Sequence, residues 1–192
     1  MTDNDFIIDN GILLEYTGTS EEIIIPHGIY RIEDYSFKSN DKIKSVIIND
    51  DSVREIGIYA FAYCTKLESI RLGNRISVIS PYTFESCLSL ETIIIPDSVW
   101  SIEQSAFGSC KKLKSVTIGN GVKKIGMNAF FECNSLLDLT IPENVTSINY
   151  SAFNCCDNLV LHIPFNFDTG AGYLKHCKDY VKYHSDNHTS VF

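Results

Sequence analysis

Residues 95–118 read IPDSVWSIEQSAFGSCKKLKSVTI, and the pattern of this stretch recurs along the chain at intervals of 23 residues, once 24. A phenylalanine marks the register most clearly, because one stands at the equivalent place in every copy. The phenylalanines in register are Phe37, Phe61, Phe84, Phe107, Phe130 and Phe153. A period of this length is typical of a solenoid, in which one unit cannot bury its own apolar face and neighbouring units stack to form a core.

Other positions of the repeat also keep one chemical character when they are numbered from the Phe. Aliphatic residues stand eight and five positions before it and six, nine and eleven after it, apart from a one-residue deletion in the last copy. From plus seven to plus eleven, apolar and polar residues alternate, which predicts a short strand with one buried face in every rung. Gly, Pro or Asn at plus twelve predicts the turn that ends this strand. Around the Phe we expect one helical or 3₁₀ turn.

The pattern Ile-Pro-x-x-Val-x-x-Ile-x-x-x-Ala-Phe-x-x-Cys-x-x-Leu-x-x-Ile-x-Ile resembles the BspA-like leucine-rich repeat family over about residues 23–164. Asn40 replaces the Cys in the first copy, and Tyr82-Thr83-Phe84 replaces the Ala-Phe context in the third. The resemblance implies an α/β repeat solenoid, a right-handed leucine-rich-repeat coil with one continuous parallel β-sheet. It also implies a non-enzymatic recognition or adhesion role like that of surface proteins of anaerobic bacteria and parasitic protists. Repeat families share a scaffold more than a ligand.

Both ends of the chain depart from the repeat and are interpreted as caps. Asn10-Gly11 between two apolar runs predicts a hairpin that lies against the first rung and covers its open strand edge. Beyond the last rung, apolar residues at helical spacing predict a capping helix from about Ala171 to Tyr183. We therefore expect one domain over residues 1–192, with an N-terminal cap at 1–22, repeats at 23–164, and a C-terminal cap and tail at 165–192.

The chain contains seven cysteines, which raises the alternatives of a disulfide framework and a ladder of free thiols. Cys64, Cys87, Cys110, Cys133 and Cys156 stand one rung apart. This spacing predicts buried thiols that point in one direction and reach loop carbonyls. Adjacent rungs bring alpha carbons within disulfide distance, but parallel side chains and an odd count argue against systematic pairing.

The sequence shows no constellation of catalytic or cofactor-binding residues. The triplet Asp168-Thr169-Gly170 lacks the second triplet that an aspartic protease requires, and no phosphate-binding Gly loop is present. A metal site near the C-terminus is disfavoured, because His176 and His184 would lie on different faces of the predicted helix and no Cys-x-x-Cys occurs. We expect no enzyme activity, no bound metal and no cofactor.

Net charge and hydropathy narrow the possible partners and locations. A net charge of −8 and a pI near 5.0 disfavour nucleic acid and anionic membranes. No apolar run is long enough to cross a bilayer, and the acidic segment Met1–Asp5 is unlike a secretory signal. We expect a cytoplasmic location, with unconventional export or a missing leader as the alternatives.

The outward face of the predicted sheet is the first candidate for a binding surface. Positions plus eight and plus ten point away from the core and combine hydroxyl residues with aliphatic ones, a patch that either marks an interaction site or reflects ordinary strand propensity. The candidate partner-binding residues are Ile24, Ile47, Ser69, Arg71, Thr92, Ile94 and Thr117. A second candidate surface comprises Tyr30, Arg54 and Trp100 at minus seven.

Two classes of function stay open at this point. The first is a monomeric module that binds a protein or glycan ligand, and the second is an intracellular scaffold or self-assembling repeat protein. Well-formed caps favour the first class, whereas an uncovered strand edge favours the second because unpaired strands invite stacking between molecules.

Overall fold

The computed structural model describes residues 5–49, 52–165, 167, 177–183 and 189–190. These residues form strands and turns and contain no α-helix, so none of them belongs to a helix that could cross a membrane. The strands, numbered in chain order, are β1 Phe6–Asp9, β2 Ile12–Tyr16, β3 Glu22–Ile24, β4 Arg31–Ile32, β5 Ser45–Ile47, β6 Glu55–Ile56, β7 Ser69–Arg71, β8 Val78–Ile79, β9 Thr92–Ile95, β10 Ser101–Ile102, β11 Ser115–Ile118, β12 Lys124–Ile125, β13 Asp138–Thr140, β14 Ser147–Ile148, β15 Cys156–Pro164, β16 Cys177–Tyr183 and β17 Thr189–Ser190.

The strands that follow the Phe residues pair in parallel with neighbouring rungs except between β11 and β13, and the alternating pattern predicts this pairing. Four such strands and β3 of the leading rung form one sheet in the order β11-β9-β7-β5-β3. Equivalent positions of successive rungs lie side by side, with Val46 beside Ile70 and Ile93 beside Val116. The plus-nine and plus-eleven side chains point into the core, and the plus-eight and plus-ten side chains face outward.

The prediction of one continuous parallel sheet is wrong. The five-stranded sheet ends at β11, and β13 pairs instead with β15 in a separate sheet of order β13-β15-β16-β17. At this gap the inward-facing Val116 is only partly buried, whereas the equivalent Val46 and Ile93 are 1% and 2% exposed. The backbones of β11 and β13 therefore separate here, and the ladder of interstrand hydrogen bonds is not continued across the gap.

A second parallel ladder forms around the isoleucine that stands five positions before each Phe. Its strands have two residues each and, together with the hairpin strands β1 and β2, form two sheets, β1-β2-β4-β6 and β14-β12-β10-β8. No pairing joins β6 to β8 in the described chain. Two residues provide too little alternation for a strand signal, so this ladder results from the stacking of rungs and not from local sequence.

The core is built from columns of equivalent side chains, of which the phenylalanine column is the largest. Successive rings from Phe37 to Phe153 lie nearly parallel, with centroids 4.6 to 5.6 Å apart. Tight turns replace the expected helical turn around each Phe. At Phe61, for example, Tyr59 and Tyr63 have φ values of 57° and 62°. Left-handed residues on both sides of the Phe prevent a run of helical backbone.

The N-terminal hairpin is confirmed, but its place differs from the prediction. β1 and β2 are antiparallel, and positive φ at Asn10 and Gly11 allows the tight turn between them. β2 pairs in parallel with β4, with Ile12 beside Arg31, and not with β3. The hairpin thus covers the short-strand ladder and leaves β3 at the edge of the five-stranded sheet.

The predicted capping helix from about Ala171 to Tyr183 is wrong where the structure describes it. Residues 177–183 form β16, which runs parallel to β15 with Tyr180 beside Leu161, and β17 pairs antiparallel with β16. Residues 171–176 lie outside the described residues. The long strand β15 offers an open row of backbone donors and acceptors, and Tyr and Val residues favour strand over helix next to such an edge. The α/β class is accordingly corrected to an all-β solenoid for the described residues.

Candidate interaction surface on the sheet face

The outward plus-ten column forms an exposed stripe across the five-stranded sheet. Ile24 lies beside Ile47 and Ile47 beside Arg71, while Ile94 on β9 lies beside Thr117 on β11. Ile94 is 69% exposed and Ile24 51%, although isoleucines at inward positions of the same strands are almost fully buried. Branched aliphatic side chains that project this far into solvent provide the apolar surface that a partner protein covers.

A groove of about 750 Å³ lies next to this stripe where β7 and β9 diverge. These two strands pair only at Ser69 and Thr92, whereas β5 and β7 stay in register over their full length. The divergence leaves room between the outward side chains of the two strands. Arg71 and Ile94 consequently line the groove from opposite strands.

Polar groups from the loops after the strands line the same groove. The Asp97 carboxylate accepts a hydrogen bond from the backbone N–H of Asn120 at 2.7 Å, which joins the loop after β9 to the loop after β11. Asn74, Asp97 and Asn120 are exposed at this end of the groove. An apolar centre with a polar rim is the usual arrangement of a protein interface.

A second groove, of about 720 Å³, lies at the gap between β11 and β13. Thr117 lines both grooves, so the two grooves adjoin along β11. On the far side of the second groove the His162 ring nitrogen Nε2 lies 2.7 Å from the Asp138 carboxylate. Lys114 also lines this groove and pairs with Glu91 at 3.0 Å. Both grooves therefore mark places where the sheet opens.

The structure places all seven predicted partner-binding residues on one face. Arg71, Thr92, Ile94 and Thr117 line the first groove. The others extend the same face along strands β3, β5 and β7, namely Ile24, Ile47 and Ser69. The alternation of the repeat thus located the face, whereas the grooves depend on strand divergence, which the repeat pattern does not encode. The role of these residues in binding stays a prediction.

The second predicted surface is interrupted. The backbone N–H of Arg54 donates to the Tyr30 carbonyl at 2.9 Å, so these two residues lie on adjacent rungs. Ser77 occupies the next rung, and its carbonyl accepts a hydrogen bond from the backbone N–H of Trp100 at 2.9 Å. The exposed Trp100 ring instead lies 5.7 Å from the ammonium group of Lys124. These residues form two separate exposed spots and not one patch.

Sequence reasoning missed a tyrosine cluster on the first three rungs. The rings of Tyr35, Tyr59 and Tyr82 stack with centroids 5.4 and 4.5 Å apart. The Lys38 ammonium group lies 5.0 Å from the first two rings and 5.7 Å from the ring of Tyr63. All four tyrosines have φ between 57° and 63°, a conformation that disfavours bulky side chains. A tyrosine column two positions before the Phe was the signal that could have revealed the stack.

Local contacts shift the ionisation of this cluster. Partial desolvation raises the pKa of Tyr59, and a hydrogen bond to the Glu85 carboxylate raises the pKa of Tyr63. The Gln104 amide donates a hydrogen bond to the Tyr82 hydroxyl. Because stacking covers the ring faces of Tyr59, the cluster presents ring edges and hydroxyl groups to solvent.

The predicted cysteine ladder is confirmed as a structural element. Each thiol donates to the carbonyl of a phenylalanine in the neighbouring rung at 3.0 to 3.2 Å, as Cys110 does to Phe84. Burial raises the pKa of Cys64 and of Cys110 to about 12. A buried, protonated thiol is a weak nucleophile and a poor metal ligand, so the ladder serves packing.

Within the described residues no group of three or more His, Cys, Asp or Glu side chains could hold a metal ion. The histidines considered from sequence, His176 and His184, lie outside those residues, as does the Asp168-Thr169-Gly170 triplet. The described sheet face offers shape, apolar area and hydrogen-bonding groups. These properties suit the binding of a partner.

Comparisons with known proteins agree with this architecture. The profile of the BspA type leucine rich repeat region matches residues 13–107 in six copies. A leucine rich repeat protein of T. pallidum shares 30% identity with a TM-score of 0.77, and the match covers 85% of this chain and 80% of that one. The chain belongs to the BspA-type leucine-rich repeat family. Proteins built from these repeats are typically non-enzymatic interaction modules.

Two further solved structures are similar over part of their length. A leucine rich cell surface protein of Faecalibacterium prausnitzii is 27% identical with a TM-score of 0.59, and the match covers 85% of this chain and 54% of that one. The pneumococcal vaccine antigen PcpA is 24% identical with a TM-score of 0.74, and the match covers 93% of this chain and 45% of that one, which shows a shared fold. The chain thus spans about half the length of these two proteins. A search of curated proteins returns no match.

Proposed function

We propose that the chain is a non-enzymatic recognition module that binds a protein partner on its sheet face. The observation that carries this proposal is the position of Ile94, which is 69% exposed at the groove where β7 and β9 diverge. Arg71 lies across that groove, and arginine and large apolar residues often dominate interface energies. The partner contacts would centre on the groove and extend along the stripe toward Ile24.

Branched aliphatic side chains favour a protein over a glycan as the partner. Sugars are commonly held by aromatic platforms and dense polar groups, whereas the stripe presents Ile24, Ile47 and Ile94. The exposed aromatic residues of the described chain lie elsewhere, at Tyr30, Tyr35, Tyr63, Trp100, Tyr150 and Phe165. Treatment of the captured partner with protease or periodate distinguishes the two ligand classes.

The closed core at the N-terminal end supports a monomeric module over a self-assembling array. Phe6, Leu13 and Tyr16 of the hairpin are buried against the first rung and close its core, although Ile7, Ile8 and Leu14 on the same hairpin are exposed. The adhesion-type role that the repeat pattern implies is part of this proposal, and the F. prausnitzii relative is a cell surface protein. Light scattering should therefore report a monomer.

A sheet-face variant tests the proposal. Replacement of Ile47, Arg71 and Ile94 by Ser together should preserve the fold, because these side chains point outward, yet remove most of the affinity. The matched control replaces Tyr30, Arg54 and Trp100 by Ser, which also removes two large apolar groups and one arginine from exposed positions. Pull-downs from the native organism should recover the partner with the wild type and the control variant only.

Two outcomes would contradict the proposed function. Retained binding by a folded sheet-face variant, with binding lost in the control, would move the site to the minus-seven surface. An unfolded sheet-face variant would show that the inward and outward positions are wrongly assigned. Circular dichroism and a thermal melt of both variants separate these outcomes from a simple loss of affinity.

A further inference from the structure

The N-terminal edge of the five-stranded sheet has no partner strand in the described chain. On its inner side, the Glu21 carbonyl accepts hydrogen bonds from the backbone N–H groups of Lys44 and Ser45. The backbone N–H of Ile25 donates to the carbonyl of Ile47. Successive residues of a strand direct their backbone groups to alternate sides. The N–H and C=O groups of Glu22 and Ile24 therefore point to the open side.

The hairpin closes the apolar core at this end without covering that edge. Ile23 and Ile25 are each 1% exposed, while β2 pairs with β4 and not with β3. The exposed apolar residues Ile7, Ile8 and Leu14 lie on the hairpin, whereas the edge of β3 keeps a row of backbone donors and acceptors without a partner strand in the described chain. A single added strand needs only those groups and the outward side chains, so it suits the edge better than a second copy of the chain does.

We propose that this edge binds an extended peptide segment by β-strand addition, with a basic residue beside Glu22 and a branched aliphatic residue beside Ile24. The inner side of β3 makes one contact of each kind, a charge pair and an aliphatic pair. There the Lys44 ammonium group lies 2.7 Å from the Glu21 carboxylate, and Ile47 lies beside Ile24. Glu22 is exposed and has no ion-pair partner among the described residues. A parallel strand of the form Lys-x-Ile places its basic residue beside Glu22 and its aliphatic residue beside Ile24 on the open side.

A labelled peptide of the chain's own residues 41–49, DKIKSVIIN, provides the probe. In the same register its Ser45 stands beside Glu22 and its Ile47 beside Ile24. The Ser45→Lys peptide should bind roughly tenfold more tightly than the Ser45→Glu peptide, because it gains a charge-assisted contact in place of a repulsion. A Val46→Pro peptide lacks the N–H that donates to the Glu22 carbonyl and should not bind. Fluorescence anisotropy measures all three.

Two protein variants test the same edge. Ile24→Pro removes the backbone N–H of Ile24, which points to the open edge. The hydrogen bonds of β3 to β5 stay in place because they come from neighbouring residues. Proline is tolerated on an edge strand. It should abolish peptide binding, while Ile94→Ser, a change on the same face in a central strand, should leave it unchanged. Glu22→Lys should reverse the charge preference and favour the Ser45→Glu peptide. In the wild type, peptide should slow hydrogen exchange of the Ile24 amide.

The proposal is overturned if no peptide binds, if exchange at Ile24 is unaffected, or if binding survives both Ile24→Pro and Glu22→Lys. A wild-type dimer that Ile24→Pro converts to a monomer overturns it in favour of a second copy of the chain. The sheet-face variant keeps Glu22 and Ile24 and should retain peptide binding. Failure of the proposed function and failure of this inference are therefore distinguishable.

Discussion

Phe107 shows how much of the stability depends on single core residues. Its ring is fully buried and lies 5.3 Å from the rings of both Phe84 and Phe130. Phe107→Ala should lower the free energy of unfolding by about 3–5 kcal/mol, since it leaves a cavity that rigid neighbouring rungs cannot fill. Ser115→Ala on the exposed outward column should change it by less than about 0.5 kcal/mol. Urea melts measure both, and equal losses would contradict the assignment of inward and outward positions.

The buried thiols make stability depend on pH. Burial raises the pKa of Cys64 and Cys110 from 9.0 to about 12. In the unfolded chain these thiols ionise near their ordinary pKa, so above it the unfolded state binds fewer protons than the folded state. The contribution of the two protonated thiols to the free energy of unfolding is therefore fully present below about pH 9, and it is lost as the pH rises toward 12. Urea midpoints should fall over this range, and less steeply in a Cys64→Ala/Cys110→Ala variant. The same slope in both proteins would contradict the prediction.

At the scale of elements, a serine in a turn near a Phe and a serine in a strand should respond in opposite ways to replacement by glycine. Ser39 has a φ of 61° in an exposed turn, whereas Ser45 lies in β5. Ser39→Gly should raise the free energy of unfolding by up to about 1 kcal/mol, because glycine adopts positive φ without strain. Ser45→Gly should lower it by about 1 kcal/mol, because glycine weakens a strand. Thermal melts should show shifts of opposite sign, and shifts of the same sign would be inconsistent with the turn geometry.

The repeat pattern predicts those elements whose signal recurs in every rung. The strands after each Phe, the inward columns, the cysteine ladder and the Asn10-Gly11 hairpin all follow from residue type and spacing. β16 does not, because its partner is an edge that exists only once the last rung has folded. The face of the candidate site was predictable from alternation. Its grooves were not, because they depend on how far neighbouring backbones separate.

At the scale of the whole molecule, stacked rungs make stability approximately a sum over neighbours. Deletion of residues 96–118 removes one complete rung and joins Ile95 to Gly119 in register. The shortened chain should fold, with a lower free energy of unfolding and a smaller dependence on urea, because less surface is buried. Deletion of residues 96–107 removes about half a rung and should abolish folding. Circular dichroism and urea titrations compare the two, and a folded half-rung deletion would contradict the repeat boundaries.

The two gaps in strand pairing have a mechanical consequence. Pairing is interrupted between β6 and β8 in the short-strand ladder and between β11 and β13 in the longer one, so the interruptions fall in different rungs. At the gap between β11 and β13 the short-strand ladder continues through the pairing of β10 with β12, whereas at the gap between β6 and β8 the longer ladder is held by the single pair Ser69–Thr92. Tension applied along the axis is therefore carried by strand pairing at both gaps, but between the Phe61 and Phe84 rungs this pairing is reduced to one residue pair. Bending at the gap between β11 and β13 strains the hydrogen bonds of the short-strand ladder, whereas the interface between the Phe61 and Phe84 rungs should bend more easily than its neighbours.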